Sequence, residues 1–297
     1  MRVLISGAGI AGPTLAWFLA RAGAHITILE KSKALYPHGQ NVDIQGSAVT
    51  AIKKMGLLDE VRRRNTKETG TQFINPNGKS FASFPVTEGV AASLTSEFEI
   101  LRGDLAAILY DATKHHPNVD YKFDTTIENV LSNDNDSVKV ELSNGEKHVY
   151  DLLVAADGQW SRVRKQCFPP ESVKAKHMGM YAVYYTVPRV PSDNDMWNIY
   201  VALKSRVITT RPDPYGKTLE ERNCTCAINL RTFRDYPCDV YIHASHCYGG
   251  KGVARSRQEG QEDAGRASSA RIWRRRMAVA EALRRHGPGS GLLFPCD

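Results

Sequence analysis

Val3-Leu4-Ile5-Ser6-Gly7-Ala8-Gly9-Ile10-Ala11-Gly12-Pro13 opens the chain and decides how the rest is read. Three consecutive apolar residues predict a short strand covered on both faces, as in a parallel sheet. Gly7, Gly9 and Gly12 follow in GxGxxG spacing. Each glycine has its own task. Gly7 permits a tight turn out of the strand, Gly9 lets a phosphate approach the backbone without meeting a Cβ, and Gly12 lets a helix pack closely on the strand. Pro13 suits the first turn of that helix, where a missing N–H costs nothing. Leu15, Phe18, Leu19 and Ala22 recur at helical spacing and predict the stripe that faces the sheet. Gly23 is placed to cap the helix, and Ile26, Ile28 and Leu29 form a second strand ending in Glu30.

Strand, glycines, helix, second strand and terminal acid together describe a βαβ unit that cradles a dinucleotide. The free N–H groups and the dipole of the helix start favour a pyrophosphate. Glu30, 18 residues beyond Gly12, is placed to accept from a ribose hydroxyl. A carboxylate at this position argues against a 2′-phosphate. The competing reading is a glycine-rich turn with no ligand.

At 297 residues the chain has room for one large or two moderate domains. It has no apolar run of about 18 residues, so no membrane-spanning helix is expected. A strand beginning at residue 3 leaves no room for a signal peptide, which makes a cytoplasmic location the expectation. The six cysteines, at 167, 224, 226, 238, 247 and 296, show no disulfide framework and read as free thiols. The net charge of +7 is unevenly spread: residues 1–200 carry 22 basic and 22 acidic residues, residues 201–297 carry 17 and 10. The cations also change from mostly lysine to mostly arginine, which marks a boundary.

Pro37 and Gly39 break a polar segment after Glu30, and Val42-Asp43-Ile44 reads as extended. Ser47 is read as the cap of a helix carrying Ala48, Ile52 and Met55; Asp59 restarts it through Arg62-Arg63-Arg64, a solvated helix end. Residues 71–87 read as two strands around Asn75-Pro76-Asn77-Gly78, with Phe81, Phe84 and Val86 assigned to core rather than to a pocket wall. Asp104 is read as the N-cap of the next helix, which carries Leu105, Ile108, Leu109 and Ala112; Arg102 stands just outside it, where a guanidinium reaches phosphate oxygens. Residues 119–123, 126–131, 138–142 and 149–156 read as four strands. The last ends in Asp157-Gly158, at the carboxyl end of a strand, where open α/β sheets bind ligands.

Residues 1–165 resemble the FAD-dependent aromatic hydroxylases, the single-component flavin monooxygenases typified by para-hydroxybenzoate hydroxylase, and within them the fungal and tetracycline-modifying branch. The GxGxxG with Glu30, Arg102 opening the Gly103-Asp104-Leu105 helix, and Asp157-Gly158-x-x-Ser161-x-x-Arg164 carry the resemblance. It implies FAD contacts at Gly7, Gly9, Ala11, Gly12, Glu30, Lys31, Asp43, Arg102, Asp157 and Gly158. It further implies NAD(P)H as co-substrate, O2, and a small aromatic or polyketide-like substrate that becomes hydroxylated. The cofactor carries that chemistry, so no catalytic side-chain set, metal or nucleic acid is expected. The alternatives are a catalytically inactive or truncated FAD-binding remnant and, from another class, an NAD-dependent reductase, against which the Asp157 motif speaks.

The implied fold is α/β: a Rossmann-like FAD-binding domain over 1–70 and 101–175, a mixed-sheet substrate domain over 71–100 and 176–210, and an incomplete C-terminal part, with 211–297 a divergent basic tail. Tyr181, Tyr184, Tyr185, Trp197 and Tyr200 suit a sheet that roofs a flat ligand or simply packs. The family's third signature, a strand ending Gly-Asp-Ala-Ala-His, has no counterpart; Glu262-Asp263-Ala264-Gly265 is the nearest string. Strand periodicity is read as fading beyond about residue 205. Three readings of the tail stand side by side: an altered or out-of-register C-terminus; a basic amphipathic helix over 271–286 for nucleic acid or an anionic membrane; and a metal site from Cys224, Cys226, Cys238, His243, His246 and Cys247.

Overall fold

The computed structural model describes residues 1–36, 39–87, 94–174, 176, 180–188, 193–202, 206–212, 214–215 and 223–231. The helix expected at 271–286, the Glu262–Gly265 string, and Cys238, His243, His246 and Cys247 lie outside the described residues. In chain order the elements are β1 (Arg2–Ser6), α1 (Ala11–Arg21), β2 (His25–Leu29), β3 (Asn41–Asp43), α2 (Ser47–Lys54), α3 (Leu58–Arg63), β4 (Gly70–Ile74), β5 (Ser80–Pro85), β6 (Glu99–Leu101), α4 (Arg102–Asp111), β7 (Val119–Lys122), β8 (Ile127–Asn133), β9 (Val138–Leu142), β10 (Lys147–Tyr150), β11 (Leu152–Ala155), α5 (Arg162–Cys167), β12 (Met180–Pro188), β13 (Trp197–Ala202), β14 (Arg206–Pro212) and β15 (Asn223–Arg231). Two compact units result, one built from residues 1–66 and 96–176, the other from residues 67–95 and from 177 onward.

The first unit is organised by a parallel sheet of order β11-β1-β2-β7. Val3 and Ile5 face one way, into a cluster with Ala16, Ala20, Ile26, Ile28 and Val119. Leu4 and Leu29 join Ile127, Val138, Val140, Leu142, Tyr150 and Val163 in another. Cover on both faces is why the run Val3-Leu4-Ile5 does not alternate with polar residues. The second cover is the three-stranded sheet β10-β9-β8. A third cluster joins Ile52 and Met55 to Val61, Ile100, Leu105, Ile108 and Leu109, tying α2, α3 and α4 together.

Several local expectations change. The buried face of α1 is Gly12, Pro13, Ala16 and Ala20, not the stripe through Phe18 and Ala22. Leu15 and Leu19 pack at its margin, while Phe18 is 36% exposed. Close helix–sheet approach selects small residues over large ones here. The helix ends in a Schellman motif: Gly23 N–H donates to Ala20 O and Ala24 N–H to Leu19 O, both at 3.0 Å, with Gly23 at φ +83°. Ser47 and Asp104 are not N-caps. Both lie inside their helices, which start at Ser47 and Arg102 with no side-chain cap. The segment 149–156 is two strands in two sheets, divided at Asp151. There the Asp151 carboxylate accepts from Arg2 N–H at 2.7 Å and Asp151 N–H donates to Arg2 O at 2.9 Å. The Arg2 backbone N–H, then its guanidinium, hold the Asp151 carboxyl below the usual carboxylate range.

The second unit is a six-stranded sheet of order β12-β15-β14-β13-β4-β5. Only the β13–β4 pair is parallel. The expected hairpin forms at Asn75, whose Oδ1 accepts from Asn77 N–H and Lys79 N–H at 3.0 Å each. Phe81 and Phe84 are not core residues; they are 72% and 49% exposed on the edge strand β5. The sheet also runs past residue 205, through β14 and β15 to Arg231. Cys224 and Cys226 stand at alternate positions of β15, opposite Val187 and Tyr185 of β12. Trp197 carries the Arg211 guanidinium 3.9 Å above its ring centroid. Arg211 in turn pairs at 3.2 Å with the buried Glu68, which accepts from Thr95 Oγ1 at 2.7 Å.

Candidate cofactor site

The glycine loop is built by close contacts that only glycine allows. Gly7 has φ +109°, and a Cβ there would lie 2.5 Å from Ala156 O and 3.0 Å from the Asp157 Cα. A Cβ on Gly12 would lie 2.1 Å from Gly7 O. Gly9 differs: among the described residues nothing stands nearer to a Cβ there than the Arg102 guanidinium, at 4.0 Å. Gly7 and Gly12 thus hold the loop against the ends of β11 and β1, and Gly9 keeps one side open. No side chain caps α1, and Pro13 removes one N–H from its first turn, so the remaining first-turn donors are left for a ligand. Ala11 is exposed at that turn.

Glu30 has a task the sequence did not reveal. Its Oε2 accepts from Ala8 N–H and its Oε1 from Ser32 N–H, each at 3.0 Å. The carboxylate therefore braces the loop from within, and its remaining lone pairs are those available to a ribose hydroxyl. Lys31 follows as an exposed residue.

Arg102 is the first residue of α4 rather than a residue before it. Its N–H donates to Gln40 O at 3.1 Å, and its guanidinium brings positive charge to the open side of Gly9. Asp157 caps α5: its Oδ2 accepts from Arg162 N–H at 2.9 Å and from Val163 N–H at 3.4 Å. Ser161 Oγ accepts from Arg164 N–H at 2.9 Å in the same cap. Gly158 takes φ +83° to make the turn. The Asp157-Gly158 motif is thus first a local strand-to-helix junction, yet Asp157 Oδ1 is buried with no partner among the described residues. Asp43 fits a ligand role less well, because its carboxylate accepts from Gln45 Nε2 and Ser96 Oγ.

One end of the parallel sheet thus gathers Gly7–Gly12, Glu30, Arg102, Asp157 and Gly158. An open backbone face beside a guanidinium, uncapped helix donors and an unpartnered buried carboxylate oxygen fit a pyrophosphate-bearing dinucleotide. A hollow of about 420 Å³ at the opposite end, lined by Arg2, His25, Asn118, Asp120 and Tyr150 among others, offers no such donor set.

Comparison with known proteins gives the family. The family described as FAD binding domain matches residues 1–231. The FAD-dependent monooxygenase asL4 of Sarocladium schorii is 38% identical over 221 residues, covering 72% of this chain and 50% of its own length. The flavin-dependent monooxygenase eupH of Phoma sp is 37% identical over 222 residues, covering 72% and 51%. Among solved structures, the tetracycline destructase Tet(51) superposes with a TM-score of 0.64 at 26% identity, over 78% of this chain and 58% of its own. The chain belongs to the FAD-binding-domain family of flavin-dependent monooxygenases, the family that includes the aromatic hydroxylases. It spans about half the length of the curated relatives it matches. No helix among the described residues is long and apolar enough to cross a membrane.

Proposed function

We infer that the chain holds FAD in its first unit and serves an NAD(P)H- and O2-dependent monooxygenation of an aromatic or polyketide-like small molecule. The observation that carries this reading is the arrangement around Gly9: an open backbone face, the Arg102 guanidinium beside it, and the loop braced from behind by Glu30. Gly9, Ala11 and Gly12 would hold the pyrophosphate with backbone donors, Glu30 the adenosine ribose, and Arg102 the anionic oxygens. Asp157 would offer Oδ1 as an acceptor beside the same loop. FAD, when bound, supplies the redox chemistry. The substrate class follows the resemblance to the aromatic hydroxylases and the likeness to a tetracycline destructase, and the second unit's sheet is assigned to the substrate.

Purified chain is expected to be yellow, to take up FAD in a titration, and to consume NAD(P)H and O2 with formation of a hydroxylated product. A colourless chain that quenches no FAD fluorescence would remove the reading altogether. NAD(P)H oxidation that releases only H2O2 would favour a second reading, a flavin holder without productive turnover.

A further inference from the structure

We propose that Asn41 is a further cofactor-binding residue, one that holds the flavin half of FAD; this rests on the reading that the chain binds FAD. Both Oδ1 and Nδ2 of Asn41 are shut away from solvent, and neither has a hydrogen-bond partner among the described residues. A buried amide with no partner among the described residues is a costly feature that folded chains seldom keep without use.

Its place in the fold says what it meets. Asn41 opens β3 and pairs with Leu101, the residue before Arg102. The carbonyl of Gln40, its neighbour, accepts from Arg102 N–H at 3.1 Å. The backbone at Gly39 packs against the Arg102 side chain so closely that a Cβ there would lie 2.9 Å from Arg102 Cβ. Asn41 is thus fixed to the short ribbon that carries Arg102 toward Gly9. Asp43 shares its face of the ribbon by strand alternation, but its carboxylate is taken up by Gln45 and Ser96.

The chemistry narrows the ligand group. An amide presents an acceptor and donors side by side. The imide edge of an isoalloxazine and the hydroxyls of a ribityl chain both match that pair. The ADP half already has its counterparts: loop N–H groups for the pyrophosphate and Glu30 for the ribose. Adenine also carries a matching edge, and the experiment separates the two halves.

The test is Asn41→Leu, which removes both polar atoms at similar size, measured in the full chain against wild type by titration with FAD, titration with ADP, and thermal melting without cofactor. FAD binding is expected to weaken roughly tenfold, the worth of one or two hydrogen bonds, with ADP binding within about twofold of wild type. The cofactor-free variant is expected to melt above wild type, because an unsatisfied amide has been replaced by an apolar group. Unchanged FAD affinity, an equal loss for FAD and ADP, or a lower melting temperature would each overturn the assignment. Wild-type chain that binds ADP but not FAD, or neither, would overturn the cofactor reading as well, and is told apart because it appears before any substitution is made.

Discussion

At the scale of single residues, three glycines of one motif do different work, and substitution separates them. Gly12→Ala drives a Cβ to 2.1 Å from a backbone oxygen. It is expected to destabilise the chain by about 1–3 kcal/mol, the usual cost of overpacking, and to abolish FAD binding. Gly9→Ala meets only the tip of a flexible arginine at 4.0 Å. It is expected to leave the melting temperature where it is and to weaken FAD binding alone. Parallel melts and FAD titrations of the two variants check this, and equal melting temperatures for both would contradict the division of labour. The sequence made the motif legible because its spacing is itself the geometry. It did not show that the Glu30 carboxylate ties down the Ala8 and Ser32 N–H groups, since a carboxylate at a strand end serves a ligand or a loop with the same residue. Nor did it single out Asn41, whose signal is the lack of a bonding partner and exists only in three dimensions.

At the scale of elements, strands and helices were legible where one physical pattern dominated. The α1 helix is legible in the sequence, but its buried face is not. Periodicity favours large apolar residues, whereas the face buried on the sheet is Gly12, Pro13, Ala16 and Ala20, with Leu15 and Leu19 at its margin. The run from Val149 to Ala156 hid two strands, because both are apolar and the break is a single aspartate that pairs with Arg2. Strands β14 and β15 were obscured by arginine and cysteine, although Cys224, Cys226, Ile228 and Leu230 do alternate with Thr225, Ala227 and Asn229. The Schellman end of α1 supplies a test at this scale. Gly23 sits at φ +83° with open space where a Cβ would go, so Gly23→Ala carries a purely conformational cost, expected at about 1 kcal/mol. A denaturation midpoint unchanged from wild type would show that the chain end relaxes without strain.

At the scale of the whole molecule, folding leaves a mark on the titration of one aromatic cluster. Tyr121, in β7, stacks among Tyr110 and Phe123 and shares a 2.6 Å hydrogen bond with Thr113 Oγ1. Burial, only partly offset by that bond, pushes its phenol from 10.0 up to about 12. The folded chain therefore binds this proton more tightly than the unfolded chain. Its contribution is full below the ordinary tyrosine value and is lost as pH rises through the folded one. Stability is expected to decline between about pH 10 and 12, and Tyr121→Phe should flatten that part of the curve. Denaturant midpoints across this range are the measurement; identical slopes in variant and wild type would refute the assignment.

The order of strands in the parallel sheet, β11-β1-β2-β7, has a consequence in time. β1 emerges from the ribosome well before one of its two neighbours, which lies some 150 residues downstream, as the register Val3↔Leu152 requires. At roughly 5–20 residues per second, the nascent β1 waits on the order of 10 s for β11. Until then Leu4 has β2 beside it but neither β11 nor the finished sheet β10-β9-β8 over it, and the glycine loop lacks the Ala156 carbonyl against which Gly7 is set. The cofactor cradle is thus encoded at the beginning of the chain and finished late. A ribosome stalled before codon 150 would display an exposed apolar strand and a half-made loop, a substrate for chaperones rather than for FAD.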